Sequence, residues 1–169
     1  MHGFETFYAA SYPRTVALAY LALGRWAEAE DVAVEAYARI AADWGQRPER
    51  EDPSRRLRVV TLGLALDRRA RFARRLRLLR RPTDVRSPLD RAGSTAAHLA
   101  DALGGLPVLD RCALALHYAA DLSVEQVADE LALSHGAARR RIARGRRHLV
   151  EVLGSAGGAA WEQLDLGRG

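Results

Sequence analysis

A chain of 169 residues is long enough for one ordinary domain or two small ones. A single cysteine, Cys112, excludes an internal disulfide framework, and with His117 on the same predicted helix it is too thin a set for a metal site. No apolar run approaches bilayer length and no charged-then-apolar leader opens the chain, so a cytoplasmic protein is expected. No Ser/His/Asp or Cys/His grouping, glycine-rich phosphate loop or paired-carboxylate set stands out, so the residues point to no enzyme, no metal and no cofactor.

All 26 basic side chains are arginine, with no lysine and no asparagine, the pattern a strongly G+C-rich genome imposes. Position therefore says more than identity. Residues 1–54 carry five Arg against nine acids, 55–81 eleven against one, 82–134 three against eight, 135–148 six against none, and 149–169 one against three. The modest net charge of +5 hides two basic islands between acidic segments, as expected if two surfaces meet a polyanion and the rest does not.

In chain order, residues 3–23 read as an aromatic-rich helical segment, with Pro13 expected to break or start a helix. After Gly24, RWAEAEDVAVEAYARIAADW combines strong helix formers with acids early in the segment, where the helix dipole favours them. Residues 45–54 form a polar loop. Helix resumes near Ser54 and runs to Arg81, with Ala65, Phe72, Leu76 and Leu79 on one face and Arg74, Arg77 and Arg81 on the other. Residues 82–96, PTDVRSPLDRAGSTA, show no usable period and read as a flexible linker, which fully stretched spans at most about 50 Å. Leu99, Leu103 and Leu106 suggest a short helix, and Pro107 suits the first turn of the next, which carries Leu109, Ala113, Leu116 and Tyr118.

The most informative stretch is DLSVEQVADELALSHGAARRRIARGRRHLV, residues 121–150. Ser123 and Gln126 have the capping-box spacing, Val124, Val127, Ala128 and Leu131 make one apolar face, and Ser134 is a second N-cap. The pattern is a helix-turn-helix. In its second helix Ala138, Ile142, Gly145 and Leu149 form a buried stripe, so Arg140, Arg144 and Arg147 point away from it, flanked by Arg139, Arg141 and Arg146. An ordinary solvated helix mixes charge signs; this one holds no acid over residues 135–148, and its length of about 20 Å suits a DNA major groove. The closing residues, 154–169, read as a glycine-rich tail with a short amphipathic piece around Trp161.

The chain as a whole resembles the extracytoplasmic-function (group IV) sigma factors of bacteria, actinobacterial type. GRWAEAEDVAVEAYARIAADW is similar to the family's second-region helix, with its AED element at Ala29, Glu30 and Asp31, and RLRVVTLGLALDRRARFARR to its melting and minus-ten helix. The segment from Leu106 and Pro107 to the arginine-rich helix is similar to the fourth region. The resemblance implies an all-α protein of two small helical domains joined by a flexible linker, the C-terminal one a helix-turn-helix. Residues 1–81 would bind the polymerase clamp and the minus-ten element, 82–96 would link, 97–153 would read the minus-thirty-five element, and 154–169 would form the tail. Its implied partners are core RNA polymerase and double-stranded promoter DNA, with an anti-sigma factor left open, and no membrane.

By the same resemblance Arg139, Arg140, Ala143 and Arg144 face the minus-thirty-five element, and the helical wheel adds Arg147. Arg68, Arg71, Arg74 and Arg77 fall to the minus-ten region, and Asp31, Val34 and Glu35 to polymerase. The chain departs from the family at Val34, where glutamine is usual, at Arg56 in place of tryptophan, at Gly63 in place of asparagine, and at Ala137–Ala138 in place of Thr-Val. The first three fall on contacts to polymerase and unpaired bases, so duplex binding is better supported than melting. Two other readings compete. One is a sigma-derived transcriptional regulator that no longer melts promoters; the other takes DRRARFARRLRLLRR as an amphipathic helix for an anionic membrane surface or protein groove.

Overall fold

The computed structural model describes residues 2–46, 52–79 and 102–165, with side chains over 3–46, 52–74, 102–152 and 154. The expected linker, 82–96, lies outside these residues, as do Leu99 and the side chains of Leu76, Arg77 and Leu79. Every regular element among the described residues is helical. The chain divides into two compact units, Met1–Val85 and Arg86–Gly169.

The first unit packs three helices against one another, α1 (His2–Leu23), α2 (Trp26–Ala41) and α3 (Pro53–Leu79). Pro13 does not interrupt α1, contrary to the sequence expectation. Proline deletes one backbone bond, to the carbonyl of residue 9, but Pro13 and Ala9 are both exposed, so the loss falls on the solvent side of the helix. Tertiary packing holds the rest. Phe4 and Phe7 each lie 5.2 Å from the Trp44 ring, and Tyr8 lies 4.6 Å from Tyr37. The Tyr37 hydroxyl shares hydrogen bonds with Ser11 at 2.7 Å and Thr15 at 3.1 Å, and burial pushes this phenol above its ordinary range. Gly24, at φ 76, supplies the left-handed turn from α1 into α2. The buried side of α2 is Ala29, Val32, Ala33, Ala36, Tyr37 and Ile40, a helical stripe with small residues where helices approach.

Asp52 caps α3, its Oδ1 accepting from the Ser54 amide at 2.9 Å, and Pro53 occupies the first helical position, one residue before the start expected from the sequence. Leu57, Thr61, Leu64 and Ala65 then face inward, and Phe72 is half-buried beneath the Arg25 guanidinium, 4.3 Å from its centroid.

The second unit contains a short helical turn at 102–104 followed by α4 (Val108–Tyr118), α5 (Val124–Glu130) and α6 (His135–Asp165). Pro107 stands at the N-cap of α4, one position before the helical turn where the sequence put it, and its carbonyl accepts from the Asp110 and Arg111 amides. Residues 110–116 of α4 are all buried. The buried surface is therefore broader than the apolar residues named for this helix, and Leu109, one of them, is exposed at its start. Cys112 is a buried thiol of this core.

Both bonds of the predicted capping box form: the Ser123 hydroxyl accepts from the Gln126 amide and the Gln126 side chain accepts from the Ser123 amide, at 3.3 and 2.8 Å. Ser134 caps α6 through the Ala137 amide at 3.2 Å. The turn between α5 and α6 places Ala132 at φ 52, a left-handed conformation that costs an alanine about 1 kcal/mol. Beyond a break at Gly154 (φ 56, ψ −147) the backbone returns to helix as far as Asp165, where the sequence suggested a tail. The alanine, glutamate and glutamine content of that stretch has the propensity to do so.

Candidate nucleic-acid interface

The buried stripe of α6 is the one expected: Ala138, Ile142, Gly145 and Leu149 all face α4 and α5. The small residues have a specific use. A Cβ on Gly145 would lie 2.6 Å from Leu114 Cδ1 and 2.8 Å from its Cγ, so α6 can approach α4 this closely only because position 145 lacks a side chain. Opposite the stripe, Arg139, Arg140, Ala143, Arg144, Arg146 and Arg147 are exposed. Among the described residues no carboxylate pairs with Arg139, Arg140, Arg146 or Arg147. The outward face of α6 is thus a cationic ridge on a helix whose opposite side is fixed in the core.

Arg141 and Arg144 behave differently, in a way the sequence did not show. Both reach Asp110, a carboxylate with no exposed surface in the first turn of α4. Arg141 Nη1 donates to Oδ1 at 2.8 Å. Arg144 Nε lies 2.8 Å from Oδ2 as an ionic contact without hydrogen-bond alignment. A charge so deeply buried is tolerable only when it is compensated, and two arginines compensate it. Beside it Arg111, also buried, donates to the Leu106 carbonyl at 2.9 Å. The two helices of the helix-turn-helix are further joined by His135 Nε2 and Glu125 Oε1, 3.0 Å apart. The Glu125 carboxyl is held below its ordinary range, first by its own backbone amide and then by Ser123.

The first island is disposed otherwise. Arg68 bridges α3 to α2, its guanidinium lying 2.9 Å from Glu35 Oε2 and 3.5 Å from Asp31 Oδ2. A residue assigned to minus-ten DNA is thereby tied to two assigned to polymerase. Arg39 is a second partner of Glu35, at 2.8 Å, and the hydrogen bond from Arg68 is the main cause that holds this carboxyl below the usual glutamate range. Arg56 forms a bidentate pair with Asp43 at 2.7 and 2.6 Å, joining the end of α2 to the start of α3. Arg71 and Arg74 are exposed on α3, and the Arg77 side chain lies outside the described residues. Val34 is 56 % exposed on α2, and Gly63 is exposed on α3 with open space where a side chain would stand.

Asp110 and Asp43 are the residues that sequence reasoning missed. A lone acid in the first turn after the Leu-Pro pair was a faint signal for Asp110, but its partners lie 31 and 34 positions further along the chain. No group of three or more metal-ligating side chains occurs among the described residues, and no helix among them is long and apolar enough to cross a membrane. Phe72, proposed above as part of a membrane-binding face, belongs to the packing of the first unit.

The helix-turn-helix with its cationic outer face defines the class. Residues 97–149, within the C-terminal unit, match the family model "Sigma-70, region 4". Among solved structures the chain is similar to the sigma factor RpoE of Bartonella quintana, crystallised in complex with the anti-sigma factor NepR. The TM-score is 0.69 at 19% identity, over 92% of this chain and 99% of that one. At that identity the likeness is one of fold. No curated protein matches the chain.

Proposed function

We propose that the protein is an RNA polymerase sigma factor of the extracytoplasmic-function type, directing core polymerase to specific promoters. The observation that carries this reading is the region 4 helix-turn-helix, whose second helix turns a row of arginines, with no acidic residue among them, outward from a buried stripe. In this role the chain is a binding subunit, and RNA synthesis belongs to the core enzyme. Arg139, Arg140, Ala143, Arg144 and Arg147 face the minus-thirty-five element; Arg71, Arg74 and Arg77 approach the minus-ten region. Asp31, Val34 and Glu35 meet polymerase, and Arg68 exchanges its intramolecular carboxylates for DNA only when that surface is engaged. The lysine-free, arginine-only composition supports an actinobacterial type. The Bartonella quintana structure, a sigma factor held by an anti-sigma factor, supports an inhibitory protein partner here. The test is run-off transcription with purified protein and core enzyme on candidate promoters. Specific transcripts are expected, and failure to bind core enzyme ends the reading.

A second reading, a regulator that binds duplex promoters without melting them, is favoured by one pair of observations. Arg56, at a position where the family often has tryptophan, is committed to Asp43, and Gly63 presents no side chain for an unpaired base. A footprint by the protein without polymerase, together with no permanganate-reactive bases when polymerase is added, would select it.

A further inference from the structure

We propose that Asp110, which faces away from DNA, is a positioning residue for sequence readout: it holds Arg144 in the pose from which α6 reads a base pair. The inference rests on the reading of α6 as the promoter helix and adds to it a residue of α4, outside the helix-turn-helix itself.

Asp110 has no exposed surface, yet its two oxygens are met from one side by Arg141 Nη1 and Arg144 Nε, each at 2.8 Å. The two arginines are not equivalent. Arg141 retains 26% of its side-chain exposure and makes a directed hydrogen bond, so it neutralises the carboxylate and locks α6 to α4. Arg144 retains 58% and touches the carboxylate with its Nε. No hydrogen bond joins its two terminal Nη nitrogens to Asp110, whose Oδ1 accepts from Arg141. Those nitrogens form the end-on fork that pairs with two acceptors on a guanine edge.

An unanchored arginine on an exposed helix face samples many rotamers and loses them on binding. Arg144 has the Nε end of its guanidinium drawn to a buried carboxylate before DNA arrives. Arg139, Arg140 and Arg147 have no such anchor among the described residues, which suits phosphates, whose spacing tolerates a moving cation. The buried carboxylate thus divides one arginine row into a held reader and mobile phosphate contacts.

The test uses the full-length protein assembled with core RNA polymerase and a duplex library randomised across the promoter, with relative affinity measured for each base at each position. Asp110→Asn is expected to flatten preference at the base pair that Arg144→Ala also flattens, by at least about fivefold, while sparing other positions. In the Arg144→Ala background Asp110→Asn should change nothing further. Asp110→Glu keeps the charge but displaces it by one methylene, and covers the case in which Asp110→Asn lowers the melting temperature too far to be assayed. It should weaken preference at the same base pair. An unchanged profile in the folded variant, a loss spread evenly over all positions, or a flattened position that Arg144→Ala leaves intact would each overturn the proposal. A wild type that selects no sequence at all would instead bring down the promoter reading, and this inference with it.

Discussion

The two arginine islands have the same sign and very different uses. In the first, residues 55–81, Arg56 is committed to Asp43 and Arg68 to Glu35 and Asp31, so part of the charge stitches α3 to α2. In the second, residues 135–148, a single buried acid engages two arginines and the outer row stays exposed. Counting charges along the chain therefore overstates what the first island can offer a polyanion. What separates them is the neighbouring helix: α2 is rich in acids, whereas α4 contributes only Asp110.

The largest expected effect tests the body under the second island. Gly145→Leu drives a side chain into Leu114 and should cost about 3 kcal/mol of stability, read by urea denaturation, although it would raise helix propensity. A neutral outcome would mean that α4 and α6 can separate, and that the outer row is not rigidly presented.

Salt titrations of DNA binding separate the two islands most sharply. Arg147→Ala should lower the slope of log affinity against log salt by about 0.9, the value for one phosphate, whereas Arg68→Ala should leave the slope unchanged in the absence of polymerase. Equal changes from both would mean that the two islands meet DNA alike.

Smaller effects test the stitching of the first unit. Arg56→Ala removes a bidentate, partly buried pair and should cost about 1 kcal/mol, read by thermal melting, with no change in the affinity of duplex DNA. The smallest expected effect is that of Glu35. Its folded carboxyl titrates below the usual glutamate range, so its contribution to stability is complete above that range and is lost as pH falls through the depressed pKa. Glu35→Gln should flatten the acid limb of a stability-against-pH curve and leave neutral pH little affected, because the group is half-exposed and its pairs are screened. A wild-type acid limb matching that of the variant would show that Arg68 is not held there.

Much of the second unit was legible because its signals are local. The Ser123 box, the Ser134 cap and the Ala138 to Leu149 stripe each depend on residues three to seven apart, and all three form. The illegible features depend on distant partners. Pro13 reads as a helix breaker until the aromatic rings of α1 and α2 are brought together. Leu109 reads as core because it is apolar, but its position in the first turn of α4 leaves it outside. Arg68 and Arg144 read alike as exposed cations, and only folding reveals that one meets a pair of surface acids and the other a buried one.

The close approach of Leu114 to Gly145 makes the seating of the rod α6 a property of the hydrophobic interior. An engineer seeking altered promoter choice need not begin at the arginines. Trimming Leu114 would let the rod settle inward and re-aim every side chain along it at once, making an aliphatic group with no access to solvent a tuning screw for recognition.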